Sequence, residues 1–165
     1  MRMSQSQVHS DWVDEVVSKY ADMVYRIAFT QMKNKADADD IFQEVFLKLC
    51  KSEVAFETDE HVKAWLIKVT INTCRKSFSS PWNKKMVEMP EDLEYKDEHQ
   101  DFEVVPVVQS LPTKYRTVIH LFYFEDMSVA DIAKTLKSTV STVTSQLSRA
   151  RNLLRTKLKG GVDDV

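Results

Sequence analysis

Apolar residues recur at three- and four-residue intervals through most of this chain, the spacing that lines up one face of an α-helix. From about Asp11 to Lys33, Trp12, Val13, Val16, Val17, Tyr20, Val24, Ile27, Ala28 and Gln31 largely form one such buried stripe. Ser10 is placed to cap this helix, with Asp11, Asp14 and Glu15 at the positive end of its dipole. After Asn34-Lys35-Ala36 a second helix is predicted to Lys51, capped by Asp37 and buried through Ile41, Val45 and Leu49. Phe42, Phe46 and Leu47 make its apolar surface wider than one stripe needs. A loop over 55–59 leads to a third helix, about Glu60 to Ser79, with Val62, Trp65, Leu66, Val69 and Thr73 as its core face.

The pattern lapses over 81–105, which contain Pro81 and Pro90, and resumes at Gln109-Ser110-Leu111-Pro112. Pro112 suits the first position of a helix, and Leu111, Tyr115, Val118, Ile119 and Phe122 supply its stripe as far as Glu125-Asp126. Ser128 and Asp131 resemble a capping box for a short helix buried through Ile132, Ala133 and Leu136. Lys137-Ser138-Thr139 then turns the chain into a last helix, about Val140 to Leu158, with Val143, Leu147, Ala150, Leu154 and Leu158 inward. The expected fold is all-α: two small helical domains, 1–80 and 106–165, joined by a linker over 81–105.

Composition agrees, since Gly 2 and Pro 4 leave few turn signals. No apolar run approaches the ~18 residues of a membrane span, and MRMSQSQVHS lacks a signal-peptide core, so a cytoplasmic protein without stable membrane insertion is expected. Charge sharpens the division: the three segments carry formal net charges of −1, −5 and +4. From Lys134 to Gly160 there are seven basic residues and no acid, the footprint of a polyanion partner presented by a helix-turn-helix. DNA is the first partner this suggests.

Catalytic and metal chemistry are not indicated. Cys50 and Cys74 lack CxxC spacing, make a poor zinc site with His61, and are expected to be buried free thiols. No nucleophile–base or phosphate-loop constellation stands out, so neither an enzyme nor a bound cofactor is expected. Three polar groupings remain. Asp40, Gln43 and Glu44 beside the phenylalanines read either as a protein-docking edge or as solvated acids over a core. Lys63, Lys68, Asn72, Arg75 and Lys76, near aromatic residues, suit a single-stranded nucleic acid, though many amphipathic helices carry lysine outside. Ser141, Thr142, Ser145, Gln146 and Arg149 occupy the helix half that enters a major groove.

Together these segments resemble bacterial sigma factors of the sigma-70 family, in the small two-domain extracytoplasmic-function group. Residues 38–47, Ala-Asp-Asp-Ile-Phe-Gln-Glu-Val-Phe-Leu, look like region 2.2, which in that family docks on core RNA polymerase. Val62 to Val69, with Asn72 and Arg75, resembles regions 2.3 and 2.4, which melt and read the −10 element. Leu111 to Tyr123, Ser128 to Leu136 and Thr142 to Arg151 resemble region 4, which reads the −35 element. The resemblance implies polymerase contacts at Asp40, Gln43, Glu44 and Phe46, and −10 contacts at Phe56, His61, Lys68, Asn72, Arg75 and Lys76. It implies −35 contacts at Thr139, Ser141, Thr142, Ser145, Gln146, Arg149 and Arg151, with promoter DNA, core polymerase and an anti-sigma factor as partners. Where the family usually has glycine after the short helix, this chain has Lys137. Two other readings stay open: a conventional helix-turn-helix regulator with an N-terminal sensing or dimerisation domain, and an adaptor that binds polymerase without starting transcription.

Overall fold

A computed structural model describes residues 5–79 and 104–160, and the chain divides into two compact units, Met1–Asp92 and Leu93–Val165. The predicted linker, save Val104 and Val105, lies outside the described residues.

In the first unit α1 (Gln5–Met32), α2 (Lys35–Lys51) and α3 (Asp59–Ser79) pack pairwise against one another. Helix α1 starts six residues earlier than its apolar stripe suggests, so Ser10 lies within it and caps nothing. Asn34, not Asp37, caps α2. Its extended backbone leaves Oδ1 to accept from the Asp37 N–H at 2.8 Å, while its Nδ2 donates to the Asp37 carboxylate at 2.8 Å. Thr58 caps α3, its hydroxyl accepting from the His61 N–H at 3.0 Å. The core joins Val24, Ile27 and Ala28 to Ile41, Val45 and Leu49, and to Leu66, Ile67 and Ile71. The α3 core face is thus rotated from the expected one: Ile67, Thr70, Ile71 and Cys74 are buried, and Trp65 and Val69 only half-buried. Cys50 is exposed, contrary to expectation.

Asp59 ties α3 to α1. It accepts from the Lys19 ammonium and, at 2.7 Å, from the Tyr20 hydroxyl. The Lys19 hydrogen bond, then that of Tyr20, holds the Asp59 carboxyl below its usual range. A lowered folded-state pKa means this stabilisation is present at neutral pH and is lost as pH falls through that pKa.

The second unit comprises α4 (Val104–Gln109), α5 (Thr113–Ile119) continuing into a π turn (His120–Phe124), α6 (Val129–Thr135) and α7 (Val140–Gly160). Pro112 stands at the N-cap itself, with φ −53° and ψ 147°, one residue before the position expected. Ser128 does cap α6, accepting from the Asp131 N–H at 3.1 Å. Ile119, Leu121, Ile132, Val143, Leu147 and Ala150 are buried together with Val108 and Leu111. Two polar groups share that core. Arg116 is 3% exposed and donates through Nη1 to the carbonyls of Gln109 and Leu111, both at 3.1 Å. Across the π turn, His120 Nε2 lies 2.9 Å from Glu125 Oε2, both side chains buried.

Helix α6 ends in a full Schellman motif: Ser138 N–H donates to Ala133 O at 2.8 Å and Lys137 N–H to Lys134 O at 3.3 Å. This forces Lys137 to φ 54°, a left-handed conformation in which a Cβ is costly. Lys137→Gly is therefore expected to stabilise the unit by about 0.5–1 kcal/mol, the gain net of the extra chain entropy glycine brings to the unfolded state. A higher midpoint of the unfolding transition in thermal melts of the full chain would show it; an unchanged or lower one would mean the lysine carries its turn without strain. Among the described residues no helix is long and apolar enough to cross a membrane.

Candidate functional site

Helix α2 separates its two faces cleanly. At about 100° per residue, Asp40, Gln43, Glu44 and Leu47 fall within one arc of about 100°, and all four are exposed. Phe46 points the other way. It is 7% exposed and packs against Phe42 at 4.8 Å between ring centroids, so it shapes the face from behind without lining it. Leu47, 56% exposed, is the apolar side chain actually presented there, and no spacing rule singled it out over Phe46. Glu44 is drawn along the helix by Lys48, 3.4 Å away, and Lys48 in turn donates to Thr73 Oγ1 at 3.0 Å.

Helix α3 carries a second surface. His61, Trp65, Lys68, Asn72, Arg75 and Lys76 lie within one stripe, about 22 Å long at ~1.5 Å per residue. Lys68, Asn72, Arg75 and Lys76 are exposed, on the side turned from Leu66, Thr70 and Thr73. At the N-terminal end the Phe56 ring meets His61 at 5.1 Å and Trp65 at 5.6 Å, both edge to face. The five residues assigned from the sequence to α3 and the one in its preceding loop are thus brought together, with charge and amide at one end and aromatic faces at the other.

The third surface is the start of α7. Thr139 caps it: its Oγ1 accepts from the Thr142 N–H at 3.1 Å and donates to Thr142 Oγ1 at 2.8 Å. Ser141, Ser145 and Arg149 stand on the side opposite Val143, Leu147 and Ala150, with Thr142 beside them and Gln146 half-buried at the edge. These short hydroxyls are exposed along the first two turns, as a groove-reading helix needs.

The Sigma-70 region 2 family model matches residues 16–83, and the Sigma-70, region 4 model matches 104–154. The RNA polymerase sigma factor SigV of Bacillus subtilis is 32% identical over 139 residues, covering 81% of this chain and 83% of SigV. The chain belongs to the sigma-70 family. Within it, this sigma factor falls in the extracytoplasmic-function group: SigW of Bacillus subtilis, an ECF RNA polymerase sigma factor, is 27% identical over 164 residues, with 88% of each chain covered. In fold it matches the sigma factor RpoE of Bartonella quintana, solved with the anti-sigma factor NepR, at a TM-score of 0.73 and 21% identity over 88% of this chain and 96% of that one. As a sigma factor it is a specificity subunit for promoter-directed transcription by bacterial RNA polymerase.

One residue of this sigma factor expected at the −35 element also makes contacts within its own unit. Arg151 sits about 200° around α7 from Arg149, so both cannot face one groove. Its Nε donates to the Tyr123 hydroxyl at 2.7 Å, and its guanidinium lies 5.5 Å from the Phe122 ring centroid. That contact braces α7 against the π turn.

Proposed function

We propose that the three surfaces divide promoter recognition among them: α2 docks on core polymerase, α3 with its loop takes the unpaired −10 strand, and the start of α7 reads the −35 duplex. The observation that carries this reading is the α3 stripe, where exposed cations and an amide line up with half-buried aromatic rings on the side turned from Leu66, Thr70 and Thr73. In this division Asp40, Gln43, Glu44 and Leu47 are the polymerase face, with Phe46 supporting it. Phe56, His61, Lys68, Asn72, Arg75 and Lys76 hold the opened strand. Ser141, Thr142, Ser145, Gln146 and Arg149 face the −35 bases, and Thr139 sets the angle of the helix as its cap. Residues 81–105, with a net charge of −5, serve as the connector between promoter elements. At ~3.3 Å per residue they span at most about 80 Å.

The protein acts in the cytoplasm, by binding and not by catalysis. An anti-sigma factor holds it inactive, as suggested by the fold it shares with RpoE of the RpoE–NepR complex.

Run-off transcription with purified core polymerase tests the reading: core plus this chain should yield discrete transcripts absent with core alone. Polymerase binding without transcripts would leave only an adaptor. Gln43→Ala with Glu44→Ala should weaken core binding about tenfold, the scale of losing one or two good contacts at an interface. Its unfolding temperature should stay nearly unchanged, because exposed polar substitutions rarely exceed ~0.5 kcal/mol. Retained core affinity would remove α2 from the docking surface.

A further inference from the structure

The aromatic end of α3 does not stop at Phe56. Trp12 of α1 stacks on the Phe56 ring, with centroids 5.5 Å apart and planes 26° apart. The His9 ring lies 6.0 Å from that of Trp12, tilted by 30°. His9 is anchored in turn, its Nε2 lying 3.1 Å from the Cys50 carbonyl at the end of α2. Three rings from two segments, α1 and the loop before α3, therefore form a staircase, and the edge contacts of His61 and Trp65 join it to the polar stripe of α3. Trp12 and Phe56 are only half-buried and His9 is exposed, so the staircase is at the surface. Both α1 residues precede the segment matched by the region 2 model, which begins at residue 16.

We propose that His9 and Trp12 extend the base-binding surface from α3 onto α1, taking the ring face of at least one further unpaired nucleotide of the promoter. The inference rests on reading the α3 stripe as the −10 surface. Stacked aromatic steps suit nucleobases because every base has a π face, whatever its sequence. The local charges separate base from backbone. Asp11, Glu57 and Glu60 around the staircase repel phosphate, whereas Lys68, Arg75 and Lys76 attract it further along α3. A strand laid along this line would hold its phosphates on the α3 cations and its terminal bases on the rings. A purely structural plug between α1 and the loop has no need of His9 in the stack, since His9 already has its anchor at Cys50.

The test uses holoenzyme assembled from core polymerase and the full chain, on a promoter found by run-off transcription whose −10 region is held unpaired. 5-Iodouracil is placed at successive positions of the non-template strand, and irradiation links it to adjacent aromatic side chains. Crosslinking to the tryptic peptide 3–19, which contains His9 and Trp12, is the expected result. Crosslinks confined to residues 52–76 would overturn this inference and leave the α3 reading standing; none anywhere in 5–79 would overturn both. Trp12→Leu should shorten the half-life of the open complex about 5- to 150-fold, the range that one stacked base represents, while Trp12→Phe keeps most of it. Equal losses with Leu and Phe would show that the π face is not what matters.

Discussion

Arg116→Met is expected to unfold much of the second unit while leaving the first intact. The guanidinium is buried and supplies the hydrogen bonds that the Gln109 and Leu111 carbonyls receive from it at the α4–α5 corner, with a further contact to Thr113 Oγ1 at 3.3 Å. Methionine fills much of the volume and donates nothing, so two buried carbonyls lose a charged donor, at about 3 kcal/mol together. For a unit of this size that lowers the melting temperature by well over 10 °C, a large part of the stability a small domain has. Amide exchange read separately on peptides from 5–79 and 104–160 should show protection lost in the second set alone. Discrimination between promoters with intact and scrambled −35 elements should vanish with it. Normal protection across 104–160 would mean that the corner is held by apolar packing and the arginine is incidental.

Asn72→Ala and Arg75→Ala should each impair promoter opening far more than polymerase assembly. Both side chains are exposed on the stripe and away from the core, so neither change should move stability by more than ~0.5 kcal/mol. Each removes a hydrogen-bonding group at the surface proposed to hold the separated strand. The loss is about 2 kcal/mol for the charged one, or roughly thirtyfold in the open-complex equilibrium, and less for the amide. A permanganate footprint beside a core-binding assay separates the two steps. Normal melting in both variants would reduce the polar stripe to solvated surface.

Much of this was legible beforehand because a 3.6-residue period is hard to counterfeit over 17 to 28 residues, as in α1, α2, α3 and α7. Caps were less so. Asn34 and Asp37 are both good capping residues, and only the extended backbone at Asn34 decides between them. Helix α4 leaves no periodic signal, because Val104 to Gln109 has no polar face and contains Pro106. A proline in the first turn costs little, since the amides there have no intrahelical acceptor. Phe46 and Leu47 are neighbours of like hydrophobicity, and which one faces out depends on where α1 and α3 sit, which local spacing does not encode. Arg116 gave no signal at all. A charge is read as outward until the carbonyls that need it come into view.

The π turn at His120–Phe124 bears on how this chain can change length. Here Glu125 N–H reaches back five residues to His120 O at 3.2 Å, one residue more than an α-helix would use. That surplus residue is stored in the last turn of a helix that ends at Glu125, with Ile119 before it buried and the Met127 N–H after it donating back to Leu121 O. A single-codon deletion within 121–124 would let the segment close as ordinary α-helix and bring the histidine and the carboxylate to four-residue spacing, still on one side. Among homologous sequences, a one-residue gap falling in the last turn of this helix, and not in the loop after it, would be the genetic trace of that turn being gained or lost.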